Sequence, residues 1–74
     1  MVDYRSIIRI DSAVRSGKPC VRDTRISVFD VLNWLANGMS FELIIEDFPE
    51  LTAIDISACL AYASDRERKL SHAS

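Results

Sequence analysis

Apolar positions come in short β-branched runs broken by turn residues over the first 26 residues, and at helical spacing from residue 28 onward. Ser6-Ile7-Ile8-Arg9-Ile10, bounded by Asp11-Ser12, reads as a strand. Gly17-Lys18-Pro19 marks a turn. Cys20-Val21-Arg22 is a second extended piece, Asp23-Thr24 a tight turn and Arg25-Ile26 a third extended piece, so a small irregular hairpin or meander is expected. Ser27 with Asp30 three positions on makes a capping box. It opens a first helix over about Val28–Asn37, which Gly38 closes in the left-handed conformation. Ser40 caps a second helix over about Phe41–Phe48, with Phe41, Ile44, Ile45 and Phe48 inward and Glu42 and Glu46 outward. Pro49 ends it, because the residue before a proline resists helical geometry. Thr52 with Asp55 is a second capping box, opening a third helix over about Ala53–Lys69. Its inward face is Ile56, Cys59 or Leu60, and Ala63. Leu70–Ser74 is expected to fray.

The expected fold is mainly α: one domain over residues 1–74, with a β element and turns in 1–27, three helices in 28–69 and a tail in 70–74. The second helix, the turn Phe48–Leu51 and the longer third helix have the outline of a helix-turn-helix. The first helix carries one thin polar stripe, Asp30, Asn33 and Asn37, and is otherwise apolar. A helix apolar nearly all round is buried on more than one side. A chain of 74 residues buries only roughly 60–65% of its unfolded surface, so the second side is expected to pack on another subunit. Phe29, Leu32, Trp34 and Leu35 are the candidate interface, with Trp34 its aromatic anchor.

Charge changes the picture because it is segregated. Residues 1–25 hold six Lys/Arg against three Asp; residues 26–64 hold no Lys or Arg and six Asp/Glu; the last ten hold three basic and two acidic groups. Two surfaces of opposite sign suit docking better than catalysis. No apolar run approaches the ~20 residues that span a bilayer. With 49% apolar residues, the chain reads as a folded domain rather than a disordered tail. Cys20 and Cys59 lack a Cys-x-x-Cys pattern or a secretory signal, and read as reduced thiols in a cytoplasmic protein. Cys20 has no histidine base, since His72 lies in the tail, and no metal-ligand cluster is spaced along the chain. Gly17-Lys18 lacks the spacing of a phosphate-binding loop. The expectation is therefore no enzyme, no metal and no cofactor.

A helix-turn-helix pair that reads DNA brings Lys, Arg, Asn or Gln to the start of its second helix. Here those positions are Thr52, Ala53, Ile54, Asp55 and Ser57, and Asp55 would repel phosphate. Beyond Thr52, the DNA candidates are Arg5, Arg9, Arg15, Lys18, Arg22 and Arg25, which could form a positive arm across a dimer. The alternative for these arginines is salt bridging, including to the acidic helices. Asp65-Arg66-Glu67-Arg68-Lys69 is either a solvated helix end whose cations suit the helix dipole, or a cationic plug for an acidic partner site.

Several of these residues carry a resemblance. Gly17-Lys18-Pro19, Arg22 through Val28, Leu32, Trp34 through Gly38 and Ser40 resemble one bacterial and archaeal family. So do Glu46 through Thr52, Asp55-Ile56 and Leu60 through Ala63. The family is domain of unknown function 433, a group of short VapB-like antitoxins, and the likeness covers roughly residues 7–66. It often has a second glycine before Gly17, a glycine at position 23 and a proline at position 27, where this chain has Ser16, Asp23 and Ser27. The resemblance implies a homeodomain-like or winged-helix-like domain and a homodimer. It also implies a type II antitoxin that binds a PIN-like ribonuclease toxin and represses its own operon. Such nucleases hold divalent metal on clustered carboxylates, which Arg66, Arg68 or Lys69 would engage. Two other functions fit the residues: a DNA-binding regulator without a toxin, and a homodimeric interaction module.

Overall fold

The computed structural model describes residues 3–72. A 3-10 turn at Tyr4–Ser6 precedes strand β1 (Ile8–Arg9), and a second at Arg15–Gly17 precedes β2 (Cys20–Val21). Helices α1 (Val28–Ala36), α2 (Phe41–Asp47) and α3 (Ala53–His72) follow. The expected first strand shortens to two residues because Tyr4–Ser6 turns instead, its start capped by the Asp3 carboxylate accepting from the Arg5 amide. β1 and β2 are antiparallel, with Ile8 opposite Val21 and Arg9 opposite Cys20. The third extended piece survives as a single bridge between Cys20 and Ser27. It is tied by the Val21 amide to the Ile26 carbonyl and the Val28 amide to the Pro19 carbonyl, each at 2.9 Å. The Thr24 hydroxyl closes the intervening turn on the Val21 carbonyl at 2.6 Å.

Local capping fixes the helices. At α1 the Asp30 amide donates to Ser27 Oγ at 3.0 Å and the Ser27 amide to Asp30 Oδ2 at 3.1 Å. Gly38 ends α1 at φ +92°, with its amide on the Leu35 carbonyl and the Met39 amide on the Trp34 carbonyl. That is the Schellman arrangement, which needs a left-handed residue where glycine stands. Ser40 Oγ accepts from the Leu43 amide to start α2. At α3 the Asp55 amide donates to Thr52 Oγ1 at 3.3 Å and the Thr52 amide to Asp55 Oδ2 at 2.9 Å. The backbone of α3 stays helical through His72, past the expected end at Lys69; residues 73 and 74 of the expected frayed tail lie outside the described residues.

The core is Ile8, Val21 and Ile26 from the β element, Val28 and Val31 from α1, and Ile44 from α2. Leu51 in the turn and Ile56, Ala58 and Cys59 from α3 complete it. The choice between Cys59 and Leu60 falls to Cys59, which is fully buried, while Leu60 is 42% exposed. Small residues at Ala58 and Ala61 let α3 approach its neighbours closely, and both are buried.

The apolar surface of α1 is partly covered inside the chain. Trp34 stacks on Phe48, the C-cap of α2, with ring centroids 4.2 Å apart and planes 10° from parallel. Leu32, Trp34 and Leu35 all pack partly against the core. The turn at Gly38 brings the Phe48 ring back onto Trp34, while Leu32, Trp34 and Leu35 all stay half-buried. Phe29 is the exception, 67% exposed.

A candidate docking groove between α1 and α3

Four residues assigned to three different roles in the sequence meet in one place. The hydrogen bond from the Val28 amide to the Pro19 carbonyl brings Lys18 and Pro19 against the first turn of α1. The later turns of α3, carrying Tyr62, Ala63, Arg66 and Glu67, run alongside. A groove of about 530 Å³ lies between them, lined also by Val28, Phe29 and Leu32. Its floor is apolar, and Lys18, Arg66 and Glu67 are exposed at its edges. Phe29 and Leu32 from the interface candidates, Lys18 from the DNA candidates and Arg66 from the tail thus share a surface. Trp34 and Leu35 do not join them.

A chain of side chains sets the α3 wall. Tyr4 donates its hydroxyl to the Asp65 carboxylate. Its ring meets Tyr62 edge-on, with centroids 5.3 Å apart. Tyr62 in turn lies beneath the Arg66 guanidinium, 6.0 Å from its ring centroid, within cation–π range. Asp65 also holds Arg68 at 2.7 Å and Lys69 at 3.2 Å. The Tyr4 hydroxyl, then Arg68 and Lys69, hold the Asp65 carboxyl well below the usual carboxylate range. The same bond pushes the Tyr4 hydroxyl up, aided by burial. No local pattern announces this network, since Tyr4 and Asp65 are 61 positions apart.

The remaining cations sort by partner. Arg5 pairs with Asp3 at 3.6 Å and Arg9 with Asp23 at 3.4 Å, both in the open. Arg15 reaches Asp30 at 3.1 Å and the Arg25 carbonyl at 2.6 Å, stitching the turn to the start of α1. Burial alone would raise the Asp30 carboxyl, but the Ser27 amide and Arg15 outweigh it and lower it. Arg22 pairs with Asp55, whose side chain is fully buried. Among the described residues, Lys18, Arg25 and Arg66 have no carboxylate partner, and two of those three edge the groove.

The start of α3 offers little to a DNA groove. Thr52 is exposed but its hydroxyl accepts from the Asp55 amide. Asp55 does not face outward to repel phosphate, as the sequence suggested, because it is consumed by the cap and by Arg22. Ala53 and Ile54 are what the exposed first turn shows. The Cys59 thiol is pushed up to about 12 by burial and by the Asp55 charge, so it stays protonated and unreactive near neutrality.

A pH prediction follows from the carboxylates. Asp65 and Asp30 both have folded-state values depressed below 3.8. Their contribution to stability is complete above that value and is lost as pH falls through and below it. The thermal midpoint is expected to hold level from neutrality to about pH 5 and to drop below about pH 4. Asp65→Asn should start lower at neutral pH and lose less on acidification, as followed by circular dichroism melts. Parallel pH profiles for the two proteins would show that Asp65 contributes nothing to acid sensitivity.

Comparisons with known proteins bear on the family and the fold. The family described as protein of unknown function (DUF433) matches residues 8–63. The uncharacterized protein y4eO of Sinorhizobium fredii is 37% identical over 59 residues, 80% of this chain. The chain spans only 27% of the length of that relative. The crystal structure of a DUF433 member protein from Anabaena variabilis is similar with a TM-score of 0.80 and 26% identity, covering 92% of this chain and 67% of that one.

Proposed function

The chain belongs to the DUF433 family of proteins of unknown function, and we propose that it acts there as the antitoxin of a type II pair, inhibiting a PIN-like ribonuclease toxin. The observation that carries this reading is the groove itself. An exposed phenylalanine and two cations with no carboxylate partner among the described residues meet on one face. An aromatic anchor flanked by cations is the composition of a protein-docking site.

The inhibition is steric and electrostatic. Of the three tail cations, Arg68 and Lys69 are already drawn to Asp65, which leaves Arg66 as the one offered to a partner. A guanidinium binds a carboxylate through two parallel hydrogen bonds. Set against the clustered acids of a nuclease, it would compete with metal or RNA there. This reading assigns the chain no enzymatic role and no cofactor. Where repression of its operon requires DNA contact, that contact falls to Arg5, Arg9, Lys18 and Arg25 rather than to α3. Such binding would be strongly salt-dependent.

The test is growth rescue with the adjacent open reading frame. That gene is induced alone and then with this one. Arrest relieved by co-expression, with the two proteins co-purifying, is the expected result. Arrest that persists despite soluble co-expression rejects antitoxin action against that neighbour. In that case salt-dependent binding of the pure protein to its own promoter, weakened by Lys18→Ala and Arg25→Ala, would identify a DNA-binding regulator without a toxin.

A further inference from the structure

The groove has a chemical preference of its own. Its edges carry Lys18 and Arg66 against one carboxylate, Glu67, so each copy presents an excess of one positive charge. Two copies meeting groove to groove would bring four cations against two carboxylates. That like-charge excess disfavours a second copy of this chain as the occupant. The apolar floor and the outward Phe29 call for a large apolar side chain on the partner. The uncompensated cations call for carboxylates beside it.

We propose that the α1–α3 groove binds an amphipathic acidic helix of the partner protein, with an apolar residue packed on Phe29 and Leu32 and carboxylates about one turn away on Lys18 and Arg66. Apolar anchors at helical spacing are how a helix seats in a groove of this kind. With Lys18 beside α1 and Arg66 on α3, acidic residues are favoured on both sides of the anchor. This deepens the antitoxin reading and rests on it only for the identity of the partner; the chemistry of the occupant stands on the groove alone.

The experiment pans a random peptide library displayed on phage against the full chain. Counter-selection uses the Phe29→Ser/Arg66→Glu double variant. Phe29 and Arg66 are exposed, so the variant should keep the wild-type melting curve, which is checked first. Should it melt early, Lys18→Glu/Arg66→Glu replaces it. The expected yield is peptides with Leu or an aromatic residue flanked by Asp or Glu at helical spacing. Measured by fluorescence anisotropy, their affinity should fall about thirtyfold with Phe29→Ala. It should fall about tenfold with the double charge reversal at Lys18 and Arg66. Arg5→Glu and Arg9→Glu should leave it unchanged. Enrichment of neutral or basic peptides, or no groove-dependent enrichment at all, overturns the proposal. So does a wild-type dimer in sedimentation that Phe29→Ala dissociates, since the groove would then be filled by a second copy. Growth rescue without acidic groove-binding peptides leaves the antitoxin reading and removes this one. Acidic peptides without rescue do the reverse.

Discussion

Asp55→Ala is expected to lower the thermal midpoint by about 12–24 °C, the largest shift of any single charged-residue substitution in this chain. The Asp55 side chain is fully buried and does two jobs. One oxygen accepts from the Thr52 amide, closing the capping box of α3; the other pairs with Arg22. Losing a cap costs about 1 kcal/mol. Breaking a buried ion pair by removing one partner costs about 3–5 kcal/mol. Arg22 is 47% exposed and can turn to water, which cuts the loss of the pair to about 2 kcal/mol and brings the total to about 3 kcal/mol. The whole domain should have only about 4–11 kcal/mol of stability. Arg22→Ala is expected to cost less, about 2 kcal/mol, because the Thr52 amide still bonds the carboxylate and the cap of α3 is kept. Arg22 also sits at φ +42°, so Arg22→Gly should recover part of that loss by relieving the left-handed backbone. The control is Arg9→Ala, whose pair with Asp23 is 65% and 90% exposed and is worth less than about 1 kcal/mol. Circular dichroism melts of the four variants check the order. An Asp55→Ala midpoint close to that of Arg9→Ala would show that the buried pair does not secure the β element to α3. The consequence reaches the groove, because Lys18 is positioned through that same β element.

The α3 cap was readable in the sequence, and the Arg22 pair was not. Capping boxes, proline stops and the glycine at position 38 are local signals, written within a few residues of the bonds they make. They placed all three helix starts, and the ends of α1 and α2, at or beside the observed positions. The Arg22–Asp55 pair spans 33 positions. From the sequence, Arg22 could equally salt-bridge or meet phosphate. The β element was legible in outline but not in extent: of the expected Ser6–Ile10 strand only Ile8–Arg9 pairs, and Ser6 belongs to a turn whose Tyr4 is drawn to Tyr62 and Asp65 on α3. The site was legible in its parts. Lys18, Phe29, Leu32 and Arg66 were each singled out, but under separate functions. What joins them is the bond from the Val28 amide to the Pro19 carbonyl and the packing of α1 along α3. Neither leaves a pattern in residue spacing.

Trp34 and Phe29 show the same limit and supply the second large prediction. In the sequence they are two aromatic residues on one over-apolar helix, both suited to an interface. In the fold they have opposite fates, because the Phe48 ring stacks on Trp34 while Phe29 stays 67% exposed. Trp34→Ala should therefore act on stability. Truncating a fully buried tryptophan costs about 3–5 kcal/mol, and Trp34 is only half-buried. Its stack on Phe48 adds about 0.5–1.5 kcal/mol beyond area. A loss of about 2 kcal/mol, or about 8–16 °C in thermal midpoint, is expected. Phe29→Ala should leave the midpoint within about 4 °C of wild type, because the ring it removes is mostly in water already. Its effect should appear instead as lost growth rescue and lost co-purification with the partner. The two variants form a crossed pair, one unstable yet able to bind when held well below its midpoint, the other stable yet unable to bind. A Trp34→Ala protein that melts like wild type but no longer binds would return Trp34 to the interface and place the docking surface on the α1–α2 side.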